Sequence, residues 1–276
     1  MPVDPTTLIA EVLGRPAKLG YDPAQDKYIC PFTDRRCIKA AGASPIPVCS
    51  LWRGDRVVII CPNRLQERKL VDDVLEHCWP EGMSRDVAIA PEVQLAGFGN
   101  VDFVIAHVND EKVEHFVSVE AQTVDITGSY RPAYIALVEN RMLDRAPSFG
   151  LNWDNVYKRY MTQVIRKGFH HHHWRTKIVA LMQDELYKQL TKYPFLTSSD
   201  IADPSVNVVF LLYKYGEDWS LEIADVIGTS HANLSQAALY ADAPSRDAFE
   251  ARIIARIKVQ RRVGGDKDEP PVFQAD

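Results

Sequence analysis

The sequence predicts a mixed α/β fold, with a central sheet covered by helices. Three observations lead there. Two long runs, 101–108 and 114–124, flank the polar stretch Asn109-Asp110-Glu111-Lys112 and read as a β-hairpin. Two shorter apolar runs rich in β-branched residues, 176–183 and 206–213, suit buried strands. Helical spacing occurs before, between and after these runs, so helices and strands alternate irregularly along the chain.

Taken in order, residues 5–12 read as a short helix, followed by a polar loop to residue 27. Residues 28–62 hold four of the five cysteines, with Gly42, Pro45 and Pro47 between them. That is a loop-rich module held by something other than a core. Residues 63–79 set Leu65, Leu70, Val71, Val74, Leu75 and Cys78 at helical spacing, with Asn63 as N-cap. Residues 86–96 are apolar and extended. Helices are expected over 131–144 and 152–167, with Gly168 ending the second. The four histidines 170–173 cannot all face one way, and read as a solvated loop. Residues 246–262 form a basic amphipathic helix, and the tail after Gly264 frays. The organisation is an N-terminal segment, 1–62, carrying the cysteines, and a larger part, 63–276, packed with it as one unit.

Composition narrows the function classes. A chain of 276 residues can bury a sizeable core. Its formal net charge of -5 gives no overall attraction to nucleic acid, so any DNA-binding surface must be a local basic patch. No stretch approaches the roughly 18 apolar residues of a membrane span. Residues 1–10 carry Pro2, Asp4 and Pro5 where a secretory signal would carry basic residues. A cytoplasmic location is expected. Disulfides are disfavoured there, and clustered cysteines read first as metal ligands.

Two constellations carry chemistry. If the hairpin folds about Glu111, Asp102 falls opposite Glu120, and Gln122 shares Glu120's face. Two carboxylates so close repel each other, and a divalent ion removes that penalty. Oxygen ligands favour Mg²⁺, with the Ala121 carbonyl as a further candidate ligand. The same residues also fit an ordinary polar strand face. Upstream, Cys30, Cys37, Cys49 and Cys61 are separated by 6, 11 and 11 residues. Four thiolates match a closed, structural tetrahedral site for zinc or iron. Four separately buried thiols are the alternative, and Cys78 reads as a core residue. Three basic sets are candidates for DNA contact: Arg35, Arg36 and Lys39; Lys158, Arg159, Arg166 and Lys167; and Arg256, Lys258, Arg261 and Arg262. Each also reads as a solvated face.

The two constellations in this order resemble the NotI family of type II restriction endonucleases. The resemblance rests on Cys30-Pro31-Phe32, Cys37, Pro47-Val48-Cys49-Ser50 and Cys61-Pro62. After these come Val101-Asp102-Phe103-Val104, Val119-Glu120-Ala121-Gln122, and the stretch from Asn152-Trp153 to Lys158-Arg159. It implies a PD-(D/E)xK nuclease core, a mixed sheet flanked by helices, in residues 63–276, plus a four-cysteine module that holds iron in this family. Asp102 and Glu120 match the motif's acids, Gln122 stands where most relatives carry lysine, and Glu92 is the best match for a further upstream acid. The implied activity is Mg²⁺-dependent cutting of double-stranded DNA at GC-rich palindromes by a homodimer. Gln122 would orient the attacking water, since an amide cannot act as a base. Two other readings stay open: a metal-stabilised DNA-binding protein or degenerate relative without catalysis, and a redox or iron protein built on the cysteines.

Overall fold

A computed structural model describes residues 2–37, 39, 45–191, 194–239 and 245–263, the last six by backbone alone. The chain divides into two compact units, residues 1–238 and 239–276.

The first residues form a 3₁₀ turn, Pro5–Thr7, capped by Asp4. The chain then enters a strand, β1 (Ile9–Val12), which pairs with β2 (Arg15–Pro16) and β3 (Val48–Arg53). β4 (Arg56–Ile59) completes a four-stranded sheet in the order β2-β1-β3-β4. The helix expected over 5–12 is therefore corrected. All four residues of β1 are buried, so the two-residue alternation that marks a half-exposed strand is missing. The cysteine region likewise contains β3 and β4, and is more than loop.

The helix expected over 63–79 is broken in two. A 3₁₀ turn, Pro62–Glu67, is capped at Cys61, which puts Asn63 inside the turn. α1 (Leu70–His77) follows. Arg68 between them is extended, and its guanidinium bonds both carboxylate oxygens of Asp73 at 2.6 and 2.8 Å.

The hairpin strands belong to the main sheet. It contains β5 (Ala88–Leu95), β6 (Gly99–Asn109) and β7 (Lys112–Gln122). A small ribbon of β8 (Ile126–Gly128) and β9 (Phe149–Leu151) flanks α2 (Arg131–Val138). α2 ends six residues short of the predicted boundary, with Asn140 in a left-handed conformation just beyond it. α3 (Trp153–Val156) runs through a π-helical turn, Tyr157–Met161, into α4 (Thr162–His173). Then come β10 (Lys177–Gln183), α5 (Asp184–Leu190), β11 (Val208–Tyr215), β12 (Leu221–Thr229) and α6 (His231–Leu239). α7 (Arg246–Val263) lies in the second unit, close to the predicted helix.

The main sheet runs β12-β11-β10-β7-β6-β5. β10 is parallel to both β7 and β11, and the remaining pairs are antiparallel. The parallel centre is buried on both faces, which accounts for the unbroken apolar runs of β10 and β11. Ile178, Ala180 and Met182 pack with α2, α3 and α4 on one face. Val179 and Leu181 pack with Leu65, Val74 and Trp79 on the other.

A buried polar joint links the small sheet to the large one. Arg64 donates to Glu11 at 3.0 Å and to the Trp219 carbonyl at 2.6 Å. Ser50 and the Tyr215 hydroxyl donate to the same carboxylate. The four-stranded sheet is thereby tied to the β11–β12 end of the large sheet. Among the described residues, no helix is long and apolar enough to cross a membrane.

Two predicted features change in α4. Gly168 does not end the helix but lies inside it, and the histidines 170–173 form its last turn instead of a loop. A Cβ on Gly168 would meet the Val208 Cγ2 at 2.9 Å, so the small residue lets α4 approach β11 closely. A helix sends adjacent side chains about 100° apart. His171 alone of the four is buried.

Candidate active site

The hairpin turns at Asp110-Glu111, both with positive φ (47° and 62°), as a two-residue turn of the right twist requires. The pairs from Phe103↔Val119 to His107↔His115 follow a fold about Glu111, and one irregularity after His107 shifts the pairs nearest the turn. Continuing the ladder one step sets Asp102 opposite Glu120. On the other side of β6, Pro91↔Phe103 and Val93↔Val101 bracket Glu92, which therefore faces Asp102. Glu92, Asp102 and Glu120 form a row across three adjacent strands.

The three carboxylates have different surroundings. Glu92 is exposed, on a kink with φ of 51°. Asp102 is half-buried and accepts a 2.8 Å hydrogen bond from the Ala121 N–H. Glu120 is buried and ion-paired with Lys167 of α4. Burial raises the Glu120 pKa, Lys167 counteracts this, and the negative charge of Asp102 adds to the rise. A divalent cation near Asp102 would relieve that repulsion. Among the described residues, no three His, Cys, Asp or Glu side chains converge closely enough to hold a metal ion by themselves. An open row of this kind fits Mg²⁺, which takes one or two carboxylates and completes its shell with water and phosphate.

Lys167 is the residue that sequence reasoning missed at this site. It had been grouped with a basic set on a helix face, yet its side chain is 3% exposed. It also donates to the Asn100 carbonyl at 2.6 Å, beside Asp102 in the chain. Its backbone is pinned by His171, whose Nδ1 donates to the Lys167 carbonyl at 2.7 Å. That leaves Nε2 to accept from the Ser118 hydroxyl at 2.7 Å. Tyr160 donates to the Glu120 carbonyl at 3.1 Å. The i,i+4 spacing puts Lys167 and His171 on one helix stripe, but nothing in the sequence ties that stripe to Glu120.

Gln122 stands one step outside the row. Its amide donates to the Thr123 carbonyl at 2.5 Å and lines a neighbouring hollow together with Lys39, Asp125 and Tyr130.

A cleft of about 710 Å³ is lined by Glu92, Asp102, Ala121, Arg35 and Arg36, while the Glu120 side chain is buried against Lys167 and is not part of its lining. The arginines come from the loop between the first two cysteines. Its base is closed by Cys30 N–H donating to the Arg35 carbonyl and Cys37 N–H to the Tyr28 carbonyl, both 2.8 Å. Of the first basic set, Arg35 and Arg36 thus share a cleft with Glu92 and Asp102, and Lys39 does not. In the second set, Arg159 lies 3.9 Å from Asp125, and Arg166 stacks over Phe98. In the third set, Arg256 is exposed in the second unit, and the side chains of Lys258, Arg261 and Arg262 lie outside the described residues.

The four candidate thiols are neighbours, without disulfides. Cys30 and Cys61 both act electrostatically on Cys37, and Cys61 acts on Cys49. Burial raises the pKa of Cys37 and Cys49. The Lys39 ammonium sits among Cys37, Cys49 and Cys61, donating to the Val48 and Ile60 carbonyls at 3.0 and 2.9 Å. Among the described residues, no three Cys, His, Asp or Glu side chains converge as a metal site, so the four cysteines are not drawn together into the tetrahedral centre expected from their spacing. Cys78 is buried at the end of α1, as a core residue should be.

Searches of protein-family models and of curated proteins return no match to this chain.

Proposed function

We propose that the chain is a Mg²⁺-dependent endonuclease that hydrolyses phosphodiester bonds of double-stranded DNA at a specific site, as its resemblance to NotI-type restriction enzymes implies. One observation supports this most strongly: Glu92 and Asp102 line a cleft together with Arg35 and Arg36, and Glu120 lies beside Asp102 on the next strand, buried against Lys167. Acids alone would repel DNA. Acids with two guanidinium groups opposite can hold a phosphate through the arginines while the acids take the metal.

In this reading each side chain has a distinct task. Arg35 and Arg36 seat the backbone phosphate. Asp102, held by the Ala121 N–H, presents its second oxygen to the cleft. Glu120 holds the Lys167 ammonium at the back of the row. Lys167 supplies from α4 the positive charge that Gln122 cannot supply from β7. Bound at the acids, Mg²⁺ would neutralise charge developing on the phosphate and lower the pKa of the attacking water. The four cysteines would hold iron or zinc and stiffen the loop that carries the arginines. A homodimer would place one such site on each DNA strand.

A second reading, a DNA-binding relative without catalysis, is favoured by the Lys167 pairing, which leaves Glu120 little exposed. The two separate on incubation with bacteriophage DNA and Mg²⁺, followed by sequencing of the ends. Cuts confined to one palindrome support the nuclease. Binding without nicking supports the second reading, and neither binding nor cutting removes both.

A further inference from the structure

A second cavity, of about 720 Å³, opens where β7 and β10 begin, at the opposite end of these strands from the carboxylate row. α1 reaches from one to the other: Leu70 at its start lines the candidate active-site cleft, and His77 at its end lines this cavity. The lining includes Arg175, Lys177, His115, His172 and His173, against a single carboxylate, Glu81. With the histidines neutral, as they are in the chain's net charge of -5, the lining carries two cations against one carboxylate.

Neither Arg175, which is exposed, nor Lys177 forms an ion pair among the described residues. Lys177 uses one N–H on the Val206 carbonyl at 2.8 Å. Burial lowers its pKa, and the nearby Cys78, Asp203 and Asp200 counteract this in part. Arg175 has a backbone φ of 55°, which turns the chain from α4 into β10, and its guanidinium has no partner among the described residues. His115 stands edge-on to Trp79 at 4.9 Å. Burial and the nearby Lys177 charge both push its pKa down. The neutral His115 ring can still offer a hydrogen bond, while the charge of the cavity comes from Arg175 and Lys177. Although histidines are numerous, a metal site is not favoured. No three His, Cys, Asp or Glu side chains among the described residues converge on one point.

We propose that this cavity binds a phosphoryl group, with Arg175 and Lys177 as its charged contacts. A guanidinium fork and an ammonium together match an oxyanion with several acceptors. The volume leaves room around a phosphoryl group for a nucleotide-sized ligand. Its source is a free nucleotide or the backbone of DNA. The site is independent of any nuclease activity in the cleft.

Calorimetric titration of the full chain, with Ca²⁺ in place of Mg²⁺, tests this. The probes are inorganic phosphate, dAMP and a short DNA duplex. The variants are Arg175→Gly and Lys177→Met, with Arg35→Ala/Arg36→Ala as control. Glycine suits the positive φ at 175, so the first variant removes the guanidinium without straining the turn. Loss of either cation should weaken binding about tenfold or more. Loss for dAMP and phosphate identifies a nucleotide site, and loss for the duplex alone identifies a DNA-backbone contact. The proposal is overturned if the wild type binds none of the probes, or if both variants keep wild-type affinity. It is equally overturned if binding is lost only in the Arg35/Arg36 control.

Discussion

Lys167→Met tests the link between α4 and the carboxylate row. The ammonium and the Glu120 carboxylate are 3% and 8% exposed. At contact distance their attraction is about 5 kcal/mol at an effective dielectric near 20, and desolvation offsets much of it. Methionine keeps the length of the side chain but leaves a buried carboxylate unpaired next to Asp102, and strips the Asn100 carbonyl of its donor. Breaking such a pair costs about 3–5 kcal/mol. The orphaned Glu120 can reduce the cost by taking up a proton, so the deficit should shrink between pH 8 and pH 5.5. In the double variant Lys167→Met/Glu120→Gln no charge is left buried. Its cost should fall short of the sum of the single costs by about 2 kcal/mol or more. Urea unfolding followed by circular dichroism at both pH values measures all four corners of the cycle. Additivity within about 0.5 kcal/mol, or a deficit independent of pH, would refute the reasoning.

Acid should weaken the same helix through His171. Its pKa falls from the ordinary 6.5 to about 4 because burial disfavours the charged ring. Above pH 6.5 neither folded nor unfolded chain is protonated there. Between 6.5 and 4 only the unfolded chain binds the proton, so stability falls with pH by up to about 3 kcal/mol. Comparison of wild type with His171→Gln over this window should show a flatter profile for the variant, and parallel profiles would contradict the assignment. Gly128, with φ of 73°, would bring a Cβ to 2.3 Å from the Ser148 carbonyl. Gly128→Ala should therefore cost about 2 kcal/mol or more in chemical denaturation. For the cysteines, elemental analysis should find one iron or zinc per chain, lost in Cys37→Ser together with several degrees of melting temperature. A metal-free wild type of unchanged stability would leave the thiols as separate core residues.

The hairpin was legible in the sequence because a polar four-residue turn fixes the register, and a period of two then fixes the faces. The pairing of Asp102 with Glu120 follows from that arithmetic alone. Glu92 was harder. Its place in the row depends on the kink at positive φ, which no residue type in Pro91-Glu92-Val93 announces. Lys167 was out of reach, because nothing local brings a helix residue to a strand residue 47 positions earlier in the chain. The contact is made by the packing of α4 on β7. The histidine run misled for a related reason. Four adjacent polar residues look solvated, whereas a helix distributes them around its axis and buries one. β1 was mistaken for a helix because burial on both faces erased its alternation, and the small sheet it belongs to was hidden by the prolines and cysteines around it.

Cleavage of plasmid DNA by Asp102→Ala and Glu120→Ala beside wild type, with Mg²⁺, and binding of the same DNA with Ca²⁺ test the carboxylate row most directly. Wild type should cut at one site, with both variants at least about a hundredfold slower and still binding. Equal cutting by Glu120→Ala and wild type would contradict the assignment of the carboxylate row as the catalytic centre.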